Sequence, residues 1–479
     1  MRPLGRNLVL LGHVGIDVYI AKDRARVRHA GSAFNVACGV SGAGAEALCI
    51  ATAGPRSRPD VLRSLERCGV RFLLLPTPDA ADHVFVFEMT KAPEEQRLSR
   101  LSLGHGDAAL SDQIALLPFD DYHFHLGSMP LESAVALVDK IKLEKPHSSL
   151  SCTLYAHHLQ RPREWSNVLG RCDVVFMNDS ELEEIRASSC LEDCAEDRLL
   201  VVTGGAAGAV AFVDGVPTLS HTPASGTVRC TTGAGDVLAG AFLGRLCRWR
   251  DLADALVVAV DLAAISVQDF GVEHVIGERA SIGVPRSGIV QPDPQIPLAP
   301  LGSFSFSISR SHETRDATGL FVRRGGKLLL AAKPPQKAFV PGVLYVPGGK
   351  LEPGESAEKC AERELREETR LQDGNLAYCG SSVYWPDSST RMVYRFLQFR
   401  VDNPLGEASA NDDISEVSWH EEGALKRSDL FGLTWAQLWL DRFLGRVLTS
   451  TRQPAPTLKS ISSVLQQITF DRNDRPDEA

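Results

Sequence analysis

The sequence predicts two domains in series, a mostly parallel α/β domain over residues 1–283 and an α+β domain over residues 304–450. Short apolar runs alternate with helical patterns as far as residue 283, the rhythm of βαβ units. A proline-rich seam follows, GVPRSGIVQPDPQIPLAPLG. Beyond it the pattern changes: strand-like runs near 317–332 and 381–400 flank one highly charged helix near 356–369.

In chain order, the strand candidates of the first domain are 8–11, 47–51, 174–177 and 199–203. The first is expected to end by Asp17. Helix candidates are 34–40, 180–187 and 237–249. The seam carries Pro285, Pro292, Pro294, Pro297 and Pro300. Proline removes N–H donors and favours extended backbone, so residues 284–303 read as a linker. A second break opens at Pro454 and Pro456. In the tail, 451–479, Leu458, Ile461, Val464, Leu465 and Ile468 recur at helical spacing, which suits a short docking helix. The final residues, DRNDRPDEA, read as disordered. No internal repeat is evident.

Length and composition set the outer limits. A chain of 479 residues suits two or three domains, and 44% hydrophobic with 23% charged residues is enough for sizeable cores. The net charge of -9 argues against nonspecific binding to nucleic acid, which needs excess Lys and Arg. It leaves room for small phosphorylated ligands, whose charge can be met by local cations and backbone N–H groups. The eleven cysteines include no CxxC pair and read as reduced thiols, so the chain is expected in the cytoplasm. The N-terminal apolar run is too short for a signal peptide, and no stretch approaches the ~20 apolar residues of a membrane span.

The strongest chemical signal before the seam is Cys230-Thr231-Thr232-Gly233-Ala234-Gly235-Asp236, leading into an apolar helix. Glycines at a helix start let backbone N–H groups and the helix dipole form an anion site. A phosphoryl group in transfer needs such a site, and Asp236 beside it can accept a proton from an attacking hydroxyl. The plain alternative is a glycine turn whose Asp caps a helix. Thr203, Gly205 and Gly208 form a second turn able to approach a nucleotide. Asn178 and Glu181 follow another strand; they suit water-mediated magnesium binding or an ordinary capping box. Asp17, Gly31 and Asn35 offer short polar groups for sugar hydroxyls, or serve as turn residues.

Together and in this order these elements resemble the PfkB/ribokinase family over roughly residues 5–283. The resemblance implies a doubly wound ribokinase-like sheet with a small β lid, built from residues around 18–30 and 83–104. It implies magnesium-ATP as donor and a sugar or nucleoside hydroxyl as acceptor. Asp236 then matches the catalytic base, and Gly233, Ala234 and Gly235 the anion hole. Asn178 and Glu181 match the magnesium/phosphate motif, while Asp17, Gly31 and Asn35 match acceptor-binding positions. The sequence departs from the family at Cys230, where an Asp that helps hold a monovalent cation is usual. It departs again at Ala30-Gly31, usually a glycine pair, and at Gly54-Pro55-Arg56-Ser57, which lacks the common acidic pattern.

After the seam, residues 348–371 read GGKLEPGESAEKCAERELREETRL. On a helix Glu364 faces Glu367 and Glu368, three and four positions on. Three carboxylates on one face repel unless a cation lies among them, and oxygen donors suit magnesium or manganese. A solvated helix of alternating charge is the plain alternative. Arg363 is placed to pair with Glu355 and hold the loop against the helix. The segment resembles the Nudix box, and residues 304–447 resemble a whole Nudix domain, an α/β/α sandwich. The resemblance implies Glu364, Glu367 and Glu368 as metal ligands, with Glu367 also catalytic and Gly349 in a loop supplying a backbone ligand. Glu355 and Arg363 are structural. Arg370 stands where the box has a helix-ending glycine, so the helix is expected to end differently or Arg370 to reach toward substrate. Asp412, Asp413 and Glu416 are candidates for a further acid, or solvent-facing loop charges. Pro386 has a counterpart in ADP-ribose-hydrolysing and MutT-like relatives.

The expectation is a bifunctional enzyme using ATP as co-substrate and Mg2+ or Mn2+, acting on small sugars or nucleosides and on nucleoside diphosphates. It is expected to bind neither nucleic acid nor membrane; a homodimer stays open. The competing readings are a Nudix sensor regulating an active kinase, or an active Nudix domain on a degenerate kinase scaffold. His123, His125 and the His157-His158 pair are expected to be ordinary hydrogen-bonded histidines.

Overall fold

The computed structural model describes residues 3–21, 24–56, 70–77, 81–89, 97–102, 107–155, 162–188, 196–276, 301, 304, 313–335, 343–384, 392–412 and 414–445. The expected tail helix, His157-His158, Ser57, Pro386, Asp413 and all of the predicted linker except Leu301 lie outside the described residues.

The first domain starts with β1 (Asn7–Ala21), β2 (Arg24–Ala30), helix α1 (Ser32–Gly42), β3 (Leu48–Ala53), β4 (Arg71–Pro76), β5 (His83–Glu88) and β6 (Arg97–Ser102). Next come α2 (Asp107–Leu116), β7 (Tyr122–Leu126), α3 (Leu131–Glu144), β8 (Ser149–Thr153), α4 (Pro162–Leu169), β9 (Val174–Asn178) and α5 (Asp179–Ala187). The domain closes with β10 (Leu199–Thr203), β11 (Ala209–Val213), β12 (Val216–His221), α6 (Ala234–Trp249) and α7 (Leu252–Ser266). The main sheet runs β12-β11-β10-β9-β8-β7-β1-β3-β4. It is parallel from β10 to β4, with β11 and β12 as an antiparallel edge hairpin. Its inner strands are buried on both sides, as parallel strands between two helix layers must be; most are apolar throughout, while β7 and β8 turn His123, His125, Ser149 and Ser151 to one side. One face packs on α1, α6 and α7, the other on α2 to α5. That is the doubly wound architecture.

Asp17 does not end the first strand. β1 continues past it and changes partners: residues up to Val14 pair with β3 in the main sheet, and Gly15 to Ala21 pair with β2 and β5. With β6 these form the small lid sheet. One strand thus belongs to core and lid together. Alternation in the lid sends Tyr19 and Phe87 inward beside Cys230.

The second domain comprises β13 (Glu313–Arg324), β14 (Lys327–Ala332), α8 (Ala357–Thr369), β15 (Asn375–Tyr384), β16 (Met392–Asp402), β17 (Glu416–Glu421) and α9 (Gly432–Phe443). Its mixed sheet runs β15-β16-β13-β14-β17. α8 covers one face and α9 the other. A buried triad, Arg323 with Glu422 at 2.5 Å and Asp441 at 3.0 Å, ties α9 to this sheet.

The outer face of α9 carries Ala436, Trp439, Leu440 and Phe443, which enter the core of the first domain. The Leu4 N–H donates to the Phe443 carbonyl at 2.7 Å. Leu301, from the predicted linker, and Phe304, placed by the sequence at the head of the second domain, are also buried in the first domain's core. The Arg186 guanidinium holds both their carbonyls. The seam therefore ends in packed structure, because Leu301 and Phe304 are too apolar to leave in water.

Candidate active sites

The first cleft, about 300 Å³, lies between the carboxyl ends of the main-sheet strands and the lid. Its floor is the start of α6. Gly233 caps that helix in a left-handed conformation, φ 81, and a Cβ there would meet Asn35 Nδ2 at 2.8 Å. Only glycine suits both demands. The Ala234 N–H already donates to the Thr231 carbonyl at 3.2 Å. A Cβ on Gly235 would meet nothing within 4 Å, so this side of the turn is open to a ligand. N–H groups in a first helical turn have no intrahelical acceptor and face the cleft with the positive end of the dipole.

Asp17, Gly31, Asn35 and Asp236 all line this cleft. The Asn35 side-chain amide donates to Asp236 Oδ2 at 3.2 Å, and the Tyr19 phenol donates to Asp17 Oδ2 at 2.8 Å. Loss of water around Asp236 pushes its carboxyl up to about 7, with the Asn35 bond pulling the other way. Burial likewise lifts Asp17 to about 7; the Tyr19 bond opposes it and the Asp236 charge reinforces it. Both carboxylates are thus poised near neutrality. Gly31 has φ 101 at the start of α1, and its carbonyl accepts the Asn35 N–H at 2.9 Å.

Asn178, Glu181 and Thr203 also line the cleft. The first two form a complete capping box: Glu181 N–H to Asn178 Oδ1 and Asn178 N–H to Glu181 Oε2, both at 2.8 Å. Gly205 and Gly208 shape the turn after Thr203 and are not among the lining residues. Cys230 is 1% exposed and packs with Tyr19 and Phe87, an apolar setting for a position the family usually fills with Asp.

Sequence reasoning missed His13, Tyr19, Phe85 and Phe87. His13, Phe85 and Phe87 line the cleft, and the His13 ring stacks on Phe85 with centroids 5.4 Å apart. The alternation in HVFVFE, which puts Phe85 and Phe87 on one strand face, was the available signal.

The second site is built on α8. The Arg363 guanidinium grips Glu355 through two bonds, Nε at 2.9 Å and Nη2 at 3.0 Å, which draws the Glu355 carboxyl down to about 2. Its Nη2 also donates to the Lys350 carbonyl at 3.1 Å, so Arg363 pins the preceding loop to the helix. The remaining nitrogen, Nη1, reaches Glu364 at 2.7 Å and Glu367 at 3.0 Å. Glu368 is 2% exposed and accepts the Gly348 N–H at 2.6 Å. Glu364 lies so close to Gly349 that a Cβ there would sit 2.1 Å from its Oε1. The Gly349 carbonyl accepts the Thr318 N–H at 2.7 Å.

Among the described residues no three His, Cys, Asp or Glu side chains are arranged as a ready metal cluster, since Arg363 lies between the carboxylates. The donor set still fits a hard divalent cation. Glu364, Glu367 and Glu368 offer oxygen donors from one helix face, and one guanidinium does not balance these three carboxylates and Glu355.

Arg370 does not end the helix differently. It adopts the left-handed cap itself, φ 60, with its N–H on the Arg366 carbonyl, while its side chain reaches Asn411 at 3.3 Å. The Asn411 side chain in turn donates to the Glu367 carbonyl at 2.8 Å. That loop brings the Asp412 charge near Glu364. Glu416 opens β17 and is exposed.

His123 and His125 are buried in the main sheet. His123 bonds Ser149 at 2.7 Å and Ser151 at 2.8 Å; His125 bonds Ser151 at 2.9 Å. Burial lowers His125 to about 3 and His123 well below its usual value, so both are neutral spacers in a polar ladder. The eight cysteines among the described residues are free thiols. No helix among these residues is long and apolar enough to cross a membrane.

The family model for pfkB family carbohydrate kinases matches residues 6–277, and that for the NUDIX domain matches residues 313–437. The chain is 38% identical over 107 residues to the NAD-capped RNA hydrolase NudC of Pseudomonas aeruginosa, covering 22% of this chain and 36% of that protein. Its Pseudomonas fluorescens counterpart is 39% identical over 101 residues, covering 21% and 34%. The chain thus spans about a third of the length of these curated relatives. A cytidine kinase of Thermococcus kodakarensis is 25% identical over 284 residues, 55% of this chain and 97% of that protein. The solved adenosine kinase of Sinorhizobium meliloti is 18% identical with a TM-score of 0.49, covering 57% of this chain and 98% of its own. With its family model matched over more than half its length, the chain belongs to the pfkB family of carbohydrate kinases, and it carries a NUDIX domain behind the kinase domain.

Proposed function

We propose that the chain is a bifunctional enzyme. One domain phosphorylates a sugar or nucleoside hydroxyl with ATP. The other hydrolyses a nucleoside diphosphate linked to a second group, with Mg2+ or Mn2+. The observation that carries the first activity is the meeting of Asp17, Asn35 and Asp236 at the glycine-capped start of α6.

In the kinase cleft Asp17, Gly31 and Asn35 would hold the acceptor. Asp236, poised near neutrality, takes the hydroxyl proton as the oxygen attacks the γ-phosphorus and the bond to the β–γ bridging oxygen breaks, with ADP leaving. Of the expected anion hole, Gly233, Ala234 and Gly235, the N–H groups of Gly233 and Gly235 would take charge on the transferring group, that of Ala234 being already held by Thr231. Asn178 and Glu181 serve the phosphate and magnesium side. Thr203, Gly205 and Gly208 serve the nucleotide. The cytidine kinase relative and the flat His13–Phe85 pair both favour a nucleoside acceptor.

On the NUDIX domain Glu364, Glu367 and Glu368 would hold the metal, with Gly349 beside them. Bound there, the ion supplies charge neutralisation at the diphosphate and a more acidic water. Glu367 has the most exposed of these carboxylates, at 52%, and is the one able to meet that water's proton. Arg363 keeps the glycine loop in place through Glu355. The names of the Pseudomonas relatives support a dinucleotide diphosphate as substrate. They also support a second reading, an RNA 5′ end capped by such a group. An end-on grip needs few backbone contacts, so the acidic net charge does not oppose it.

The test offers the full-length protein magnesium and two substrate panels: ATP with sugars and nucleosides, then ADP-ribose, NADH, nucleotide sugars and NAD-capped RNA. Asp236→Asn should abolish only phosphorylation and Glu367→Gln only hydrolysis. Parent-like behaviour of either variant removes the assignment for that site.

A further inference from the structure

We propose that Asp214, a residue of the kinase domain, positions the substrate wall of the NUDIX site. This rests on reading the recess beside Gly348 as the place of the substrate's nucleoside end. The recess begins at the glycine loop that Glu368 holds, so it adjoins the carboxylates. Its lining mixes aromatic rings, Tyr345, Phe396 and Phe431, with Lys333, Gln398 and Thr434. The recess is small, about 40 Å³, with room for part of a base; rings for stacking beside a few polar groups suit that edge.

Phe431 and Thr434 stand at the start of α9, where no side chain caps the helix. The NUDIX side holds this start by two bonds: Phe431 N–H to the Leu344 carbonyl at 2.8 Å, and Val346 N–H to Thr434 Oγ1 at 3.4 Å. Across the domain boundary the holder is Asp214, in the β11–β12 turn and 1% exposed. Its Oδ2 accepts the Trp435 indole N–H at 2.7 Å. Its Oδ1 accepts the Arg427 guanidinium at 3.4 Å and the Asp197 N–H at 2.7 Å. Arg427 and Trp435 bracket Phe431 and Thr434 in sequence, so one buried carboxylate fixes both ends of the segment that walls the recess. Removing it leaves the half-buried Trp435 indole N–H without its acceptor, while Arg427, half exposed, keeps Glu196 at 3.3 Å, so the Trp435 end of the segment is the one that must move.

The experiment uses the full chain with Asp214→Ala and Asp214→Asn. Hydrolysis of ADP-ribose and NADH gives KM and kcat. AMP binding by calorimetry is compared with Phe431→Ala, which marks the binding that belongs to the recess. We expect Asp214→Ala to raise KM about tenfold and weaken the Phe431-dependent AMP binding similarly. The value of kcat should stay within about twofold and kinase kinetics should not change. Asn, which keeps an oxygen for the indole, should recover part of the loss. Unchanged KM and AMP binding overturn the inference, as does a parallel fall in both activities, which marks a structural role. If the parent hydrolyses nothing yet binds AMP through Phe431, the hydrolase reading fails while the AMP comparison still decides on Asp214. If the parent shows no Phe431-dependent AMP binding, the recess is not a nucleoside site and the inference falls.

Discussion

The Asn35 amide nitrogen lies 3.2 Å from Asp236 Oδ2, joining helix α1 to the start of α6 across the kinase cleft. The bond favours the charged carboxylate, against the larger effect of lost hydration. Phosphorylation should therefore fall about tenfold per pH unit below about 7, as Asp236 takes up its proton. Asn35→Ala removes the opposing bond and should move this acidic limb to higher pH. A pH–kcat/KM profile of both proteins checks it. A limb that does not shift disproves the coupling.

The same two carboxylates fix a sign for stability. Asp17 and Asp236 have folded values near 7 against 3.8 for the free group, so between those values the native state binds more protons than the unfolded chain. Their contribution disfavours folding progressively as pH rises from about 4 to 7. Asp17→Asn should flatten this fall in urea titrations; an unchanged slope would show that Asp17 ionises normally.

On α8, Glu368 is buried on a backbone N–H while the Glu367 carboxylate is half exposed. Glu368→Gln should cost about 1–3 kcal/mol of stability, and Glu367→Gln almost none. Both should weaken manganese binding, read by electron paramagnetic resonance. Unaltered manganese affinity in both variants removes the metal assignment.

Arg370 holds a left-handed backbone that costs a side-chain-bearing residue about 1–2 kcal/mol. Arg370→Gly should gain part of that, less the bond to Asn411, giving a net rise of about 0.5–1 kcal/mol in urea unfolding. A loss of stability would show that the Asn411 contact outweighs the strain.

Helices α1 and α6 touch through glycines. A Cβ on Gly240 would lie 1.9 Å from the Val36 carbonyl oxygen, and one on Gly39 would lie 2.2 Å from that of Val237. Gly240→Ala must spread the helices that carry Asn35 and Asp236. It should cost about 1–3 kcal/mol and reduce phosphorylation more than hydrolysis. Equal effects on both activities would mean that the spreading does not reach the cleft.

Local chemistry was legible in the sequence; long-range juxtaposition was not. The TGAGD turn and the acidic helix are contiguous, so spacing alone showed which groups share a face. The main-sheet strands β1, β3, β9 and β10 were readable because apolar runs bounded by turns leave few alternatives. β1 was misread at Asp17 because a strand that passes from core to lid loses its apolar run while keeping its extended backbone. Helix α9 went unnoticed for a different reason. GLTWAQLWLDRF lacks a capping side chain to mark its start, and its polar stripe, Thr434, Gln437 and Asp441, is itself buried between two apolar cores. The lid aromatics and Asp214 owe their roles to partners distant in the chain.

The position of α9 bears on how the gene can be cut. An expression fragment stopping at the prolines would leave the kinase with an oily gap once filled by Trp439 and Phe443, and such a fragment should clump. The complementary fragment would display the same two rings to solvent. The two halves thus share one helix, and a useful dissection must travel with α9 grafted to whichever half is kept.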